Sequence, residues 1–410
     1  MSGFSRTTNG PPKGGHYIMS TPISRQLLIV TTELFAPGGV QRLGREVVGA
    51  LADGTAPPEV WSLLDRDSSA HANLYLAAGS RVRLGLRALA RAIASCRDLR
   101  VVVMHVHLAP IALPMLLRGA QVSVFVNGVE AWRALPPIER WVVERCDRVI
   151  AISHYTARRF RQANPWCDAR RVEVCWLGVS AAPLVPLAPL EPLEPLLVLM
   201  VSRMSREDRY KGHELLIRAW SEVRTRVPQA ELVLIGDGDD RSRLEAIASE
   251  AGVAGAVRFL GSVGEEELAA WYRRCSIFVL PSEGEGFGLV LLEAMRAGKA
   301  CVTGPGAPAE VVEDGVTGFV VSLQEPQPLT DAVLRLLEDG DLRDRLGRAG
   351  RTRFEQTFTS RHFADRLRQL LLLPPLSERT APAATPSRGQ VNPRRGVSVS
   401  SRRGWGPRRQ

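Results

Sequence analysis

No run of about 20 apolar residues occurs in this sequence, so no segment reads as a membrane-spanning helix. The opening stretch, MSGFSRTTNGPPKGGHYIMS, lacks the apolar centre of a secretion signal and is expected to form a disordered leader over residues 1–24. The six cysteines (Cys96, Cys146, Cys167, Cys175, Cys275 and Cys301) include no CxxC pair and no metal-ligand spacing. A sequence-readable zinc site is thereby excluded, and a reduced, cytoplasmic compartment is the simplest expectation. Acidic residues and lysine are missing from Thr380 to Gln410, where Arg388, Arg394, Arg395, Arg402, Arg403, Arg408 and Arg409 supply much of the net charge of +10. The rest of the chain is close to balanced. With Trp405 as the tail's one aromatic, nothing there resembles interleaved basic and stacking residues, so nucleic acid is not expected as a partner.

What is present points to a folded enzyme-sized chain. The 45% hydrophobic and 23% charged shares are those of an ordinary globular protein. Its 410 residues exceed what one core usually supports, which predicts two domains and a cleft. From Arg25, the apolar run QLLIVT leads through a Gly-rich turn into the helical pattern RLGREVVGALA, and EVWSLL, RVVVMHVHL, VSVFVNG, RVIAIS and VEVCWLG follow as β-rich segments. Strands alternating with helices predict a parallel α/β sheet over residues 25–180. The stretch AAPLVPLAPLEPLEP, residues 181–195, carries five prolines and reads as a linker. A second Rossmann-like domain is expected over 196–373, and a disordered Arg-rich tail over 374–410.

The most informative segment is PSEGEGFGLVLLEAMRAGKACVTGPGAPAEVVEDGVTGFVV, Pro281 to Val321. After an apolar strand, a Gly-rich turn holds Glu283 and Glu285, and the following helix carries Glu293. Gly286 and Gly288 let backbone N–H groups approach a ligand, and a helix start suits a diphosphate. Glu285 and Glu293 can each accept from paired sugar or ribose hydroxyls. On spacing alone an alternative stays open, in which Glu285 caps the helix and Glu293 faces water.

These residues resemble the family 4 glycosyltransferases of the GT-B fold, whose E-x7-E motif is met by Glu285 and Glu293 in EGFGLVLLE. SRMSREDRYKGHELLIRAW, LVLIGDGDD, VRFLGSV and DGVTGFVV match in order, and the first half matches more thinly through PGGVQR, HVHLAPIALPM, VNGVEAW and ISHYTARRF. The resemblance implies an α/β fold of two Rossmann-like domains facing across a cleft, and retaining transfer of a hexose from a nucleotide-diphosphate sugar in polysaccharide or glycan biosynthesis. It implies that Arg203 and Lys211 hold the diphosphate without a metal, that Glu285 lies near the transferred sugar, and that Glu293 binds the ribose. Gly286, Phe287, Gly288, Leu289 and Val290 would present backbone groups to the donor, with Gly38 and Gly39 closing from across the cleft. No cofactor is implied, since the nucleotide-sugar is a co-substrate. The family commonly has a His where VFVNGVEAW places Asn127, so either that His is dispensable or the acceptor-side polar work falls to His105 or His107. His107 is carried as the candidate. WLGVS, with Leu177 and Ser180, also departs from the family's usual Asn-Gly-Val-Asp.

Two further readings concern partners. Arg83, Arg87 and Arg91 recur at helical spacing beside Val82, Leu86, Leu89 and Ile93. Such a helix can lie on an anionic membrane, which would suit a saccharide or lipid-linked saccharide acceptor at the inner face, or it can pack on its own sheet with the arginines in water. A non-catalytic nucleotide-sugar binder and an epimerase on the same fold are the rival functions, and the EGFG run argues against the epimerase.

Overall fold

A computed structural model of the chain describes residues 26–36, 38–52, 57–66, 73–94, 96–182 and 196–374. The expected leader, the linker from residue 183 onward and the tail from residue 375 onward lie outside the described residues.

The first sheet holds seven parallel strands: β1 (Gln26–Thr31), β2 (Glu59–Ser62), β3 (Leu74–Leu76), β4 (Leu99–Val103), β5 (Gln121–Val126), β6 (Arg148–Ala151) and β7 (Val172–Val174), in spatial order β3-β2-β1-β4-β5-β6-β7. Its helices are α1 (Gly39–Leu51), α2 (Arg81–Ile93), α3 (Ala109–Leu116), α4 (Pro137–Val143) and α5 (His154–Ala163). The second sheet holds six parallel strands: β8 (Leu197–Val201), β9 (Glu231–Ile235), β10 (Val257–Gly261), β11 (Ile277–Leu280), β12 (Ala300–Thr303) and β13 (Gly318–Val320), ordered β10-β9-β8-β11-β12-β13. Around it lie α6 (His213–Arg226), α7 (Arg241–Glu250), α8 (Glu265–Arg274), α9 (Leu289–Arg296), α10 (Pro308–Val311), α11 (Pro326–Glu338), α12 (Gly340–Thr357) and α13 (Ser360–Leu370). The chain is therefore α/β, with two Rossmann-like sheets.

Both sheets reverse strand order next to their first strand, between β1 and β4 and between β8 and β11. Loops leaving neighbouring strands there diverge to opposite faces and open a crevice at the strands' carboxyl ends. The four loops so placed contain Gly38 and Gly39, the segment from Met104 to His107, Arg203 to Lys211, and Pro281 to Gly288. Topology thus brings the sequence-marked segments to the two crevices.

Strand alternation sorts the core. In the first sheet Leu28 and Val30 face the α2–α5 layer with Leu84, Ala88, Met115 and Phe160, whereas Ile29 faces α1 with Leu43 and Val47. The α1 side is continuous with the core of the second sheet. Helix α13 packs on α1, where Ser360 Oγ donates to Glu46 Oε2 at 2.7 Å and Arg368 donates to the Ala50 carbonyl at 3.2 Å. The chain thus passes between the two units a second time. The segment leaving β7 pairs with the one entering α13, through Val179 N–H to Phe358 O at 3.0 Å and Ser360 N–H to Val179 O at 2.9 Å.

Two local expectations change. RVVVMHVHL is a strand only as far as Val103, because the His105 ring accepts from His107 N–H at 3.3 Å and turns the chain into a short 3-10 helix over Val106–Leu108. Helix α2 meets its sheet through the small residues Ala88 and Ala92 with Leu84, leaving Val82, Leu86, Leu89 and Ile93 exposed. Arg87 is not free in water: it pairs with Glu59 at 3.2 Å and lies over the Trp61 and Tyr75 rings. All six cysteines are buried free thiols.

Candidate functional site

Strand β11 ends at Leu280, and the chain turns through Pro281–Gly288 into α9. Gly288 is the N-cap, with φ 101 in the left-handed region that favours glycine, and no side chain caps the helix. Glu285 is therefore not a helix cap. It pairs instead with Lys211, whose Nζ lies 2.9 and 3.2 Å from its two carboxylate oxygens, both side chains being largely buried. Lys211 is thus held inside the site, whereas 71% of the Arg203 side chain is exposed.

The Arg203 guanidinium is paired through Nη2 with Asp208, 3.0 Å away, and that buried carboxylate also accepts from Ser205 Oγ at 2.9 Å and Tyr210 Oη at 3.0 Å. Burial, then the Glu285 and Asp208 charges, raises the Tyr210 phenol, so it remains a donor. Beneath Lys211, His213 Nε2 sits 2.8 Å from Ser202 Oγ. Burial, reinforced by Lys211, pushes this imidazole down to about 4, which keeps it neutral near pH 7.

Glu293 is buried, 4% exposed, so the water-facing alternative is also excluded. Its Oε2 accepts from Tyr272 Oη at 2.7 Å, and its Oε1 takes the guanidinium of Arg42, which belongs to α1 of the first sheet. Tyr272 is itself buried, and desolvation holds its phenol well above the usual tyrosine range.

On the first sheet's side, the turn before α1 is fixed by buried Asp65, which accepts from Leu34 N–H at 2.8 Å and Phe35 N–H at 3.3 Å. Gly38 is the N-cap of α1, again without a side-chain cap, and Gly39 opens the helix. Arg42 sits about one turn inside α1 and Glu293 about one turn inside α9. Their ion pair therefore joins the opening turns of two uncapped, glycine-led helices, each with its positive dipole end free.

The sheets also meet at Gly286. A Cβ there would lie 2.0 Å from the Asn127 carbonyl oxygen, so only glycine permits this approach. The Gly286 carbonyl accepts from Ser153 Oγ at 2.8 Å and Thr156 Oγ1 at 3.2 Å. Asn127 is buried: its amide Nδ2 donates to Met104 O at 2.8 Å, while its Oδ1 has no hydrogen-bond partner. Below this contact Glu310 of α10 caps α5 from the other unit, accepting from His154 N–H at 2.9 Å, Tyr155 N–H at 2.6 Å and the Trp176 indole at 2.9 Å.

Of the residues marked by sequence, Lys211 and Glu285 meet directly, Arg203 joins them through the Asp208–Tyr210 network, and Glu293 stands one turn along the same helix. Phe287 is buried against Phe358, and Leu289 and Val290 pack on the core, so these three have only backbone to offer a ligand. His107, in the loop at the first sheet's crevice, has other partners: its Nδ1 lies 3.0 Å from Glu139 Oε1 and its Nε2 3.5 Å from Arg133. Arg42 lies in PGGVQR, Thr156 in ISHYTARRF and Glu310 in the Pro281–Val321 segment, yet none of them, nor Asp65 or Tyr272, was singled out by sequence. Ser153, which caps α5, stands directly before a helical pattern, a signal that could have found it.

Residues 188–353 match the model for glycosyl transferases group 1, and residues 37–182 match that for glycosyltransferase family 4. A GDP-mannose-dependent alpha-(1-6)-phosphatidylinositol monomannoside mannosyltransferase of Mycobacterium tuberculosis is 30% identical over 264 residues, 59% of this chain and 68% of that protein. The chain belongs to the family 4 glycosyltransferases. A second family member, the D-inositol 3-phosphate glycosyltransferase of Corynebacterium jeikeium, is 37% identical over 147 residues, 34% of this chain and 35% of its own length. The match thus spans about a third of one relative and two thirds of the other. Among solved structures, Anabaena HepE in complex with UDP and glucose superposes with a TM-score of 0.71 at 20% identity, over 85% of this chain and 99% of that one, which places this family member in the GT-B fold. Among the described residues no three His, Cys, Asp or Glu side chains gather as a metal site, and no helix is long and apolar enough to cross a membrane.

Proposed function

We propose that this chain is a retaining hexosyltransferase that takes a nucleotide-diphosphate sugar as donor and a saccharide or lipid-linked saccharide as acceptor. The observation that carries the reading is the meeting of two uncapped helix starts, those of α1 and α9, beside the Lys211–Glu285 pair. Backbone N–H groups from both sheets and the cations Lys211 and Arg203 suit a diphosphate, whose negative charge grows as the bond to the sugar breaks. Glu285, beside Lys211, accepts from sugar hydroxyls, and Glu293 from the ribose diol. In the retaining step the C1–O(phosphate) bond breaks, the acceptor oxygen bonds C1 on the same face, and its proton passes to the departing phosphate. No metal and no protein base is assigned to that step.

The names of the relatives make GDP-mannose and an inositol-bearing acceptor the first pair to test. A thermal-shift panel of GDP-, UDP- and ADP-sugars without added metal tests the donor site, since a ligand at about one hundred times its dissociation constant stabilises by about 2.7 kcal/mol. A shift for one base supports the reading, and folded protein that shifts with none overturns it. Product anomeric configuration by NMR checks retention. Glu293→Ala should weaken donor binding by about 1–3 kcal/mol.

The same reading puts the enzyme against an anionic membrane through α2. Val82, Leu86, Leu89 and Ile93 form one exposed stripe along that helix, flanked by exposed Arg81 and Arg83, and the helix carries no acidic residue. Replacing all four apolar residues by Ser leaves every charge in place and should release the protein from anionic vesicles in a sedimentation assay. Undiminished binding would assign the attraction to arginines elsewhere.

A further inference from the structure

The contact between Arg42 and Glu293 occupies the carboxylate that the donor reading gives to the ribose. Both Glu293 oxygens already have a partner: Oε2 is held by Tyr272 from inside the core, and Oε1 by the Arg42 guanidinium from the cleft side. The two partners differ in how they can move. Tyr272 is buried, whereas 28% of the Arg42 side chain is exposed, so only the arginine can withdraw without opening the core.

Where Arg42 could go is limited by its position. It rises from the first turn of α1, three residues beyond Gly39 of the uncapped start. Arg45 and Arg296 stand near it together with the carboxylates Glu46 and Glu265; burial is the largest effect on both arginines and lowers them, Glu265 raises Arg45, Arg42 lowers both, and Glu46 raises both. A guanidinium that leaves Glu293 stays beside the uncapped starts of α1 and α9, whose positive dipole ends oppose it, and an incoming polyanion is what would hold it there.

We propose that Arg42 is a donor-exchanged latch: without donor it ties α1 to α9 through Glu293, and when a nucleoside diphosphate enters it cedes Glu293 to the ribose hydroxyls and closes on the diphosphate. The proposal rests on the donor reading above. It gives the enzyme a reason to distinguish a nucleoside diphosphate from a bare nucleoside beyond the phosphate contacts of Lys211 and Arg203. A nucleoside must displace the latch and offers it nothing, while a diphosphate repays the displacement. A ligand shifts such an equilibrium only by its differential affinity for the two states.

The test is calorimetric binding to the full chain of a nucleoside and of its diphosphate, the base being the one selected in the thermal-shift panel. In Arg42→Met the nucleoside should bind several-fold more tightly, and the preference for the diphosphate over the nucleoside should fall by about tenfold or more. If both ligands move by the same factor, or the nucleoside does not gain, the latch is wrong and Arg42 is a structural tie. Because Arg42→Met strands a buried carboxylate, Arg42→Met/Glu293→Gln provides a second variant without that charge, and its preference for the diphosphate should fall just as far. An undiminished preference there overturns the proposal. Wild-type protein that binds no nucleoside diphosphate would remove the donor reading itself, a result distinct from loss of the latch alone.

Discussion

The two sheets share a strand order and point their loops at one another, yet they furnish the space between them differently. The six-stranded unit brings charge: Lys211 with Glu285, Arg203 with Asp208, and the buried Glu293. The seven-stranded unit brings mostly neutral and backbone groups, with the Ser153 and Thr156 hydroxyls on Gly286, the Asn127 carbonyl against the same glycine, and Arg42 as its main charged emissary. Charge is concentrated on one wall, where local partners hold it in place. The other wall supplies closure. On the donor reading proposed above, such a division would let the neutral wall vary with acceptor while the charged wall kept one donor chemistry.

The largest break in this contrast should come from the charged wall. Lys211→Ala removes a buried cation and strands Glu285, and transfer should fall by about a hundredfold to a thousandfold in kcat, read as product formed at saturating donor. A loss below tenfold would show that the Lys211–Glu285 pair is structural. Next in size is a pH effect confined to the same unit. The His213 imidazole, at about 4 when folded against 6.5 as its ordinary value, must lose its neutral form as acid is added. The unfolded chain binds that proton first, so this contribution to stability is complete above pH 6.5 and is lost as pH falls toward 4, on the order of 3 kcal/mol in all. Urea denaturation of wild type and His213→Gln over that window measures it, and the variant should show a flatter slope.

Smaller effects should come from the contacts between the walls. Glu310→Ala leaves two α5 N–H groups and the Trp176 indole without their acceptor, and should cost about 1–3 kcal/mol in urea denaturation. Ser153→Ala removes the shorter of two hydroxyl bonds to Gly286 and also the N-cap of α5, at about 1 kcal/mol. If Ser153→Ala cost as much as Glu310→Ala, the neutral wall would be holding the interface more firmly than its chemistry suggests.

The sequence was most readable where a short segment carries its own partners. The strand-turn-helix around Glu285 and Glu293, and the alternation of strands and helices, depend on residues within a few turns of one another. Arg42 and Glu293 are 251 positions apart, and Glu310 meets Tyr155 across 155, so no local pattern announces either contact. Helix α2 shows a subtler limit. Its apolar periodicity was legible, but which stripe faces the sheet was decided by size, since Ala88 and Ala92 let the helix lie close while Leu86 and Ile93 were left outside. Likewise the alternating apolar pattern of RVVVMHVHL continues past Val103, and only the bond from His107 N–H to the His105 ring ends the strand.

The paired passages of the chain beside Val179 and Phe358 have a mechanical consequence. A single tether would be a swivel, free to twist as well as bend. Two tethers hydrogen-bonded side by side behave as a door hinge: they resist twisting and leave bending about one line as the soft motion. Relative motion of the two units would then be confined to bending about that line, a constraint that a lone connection could not impose.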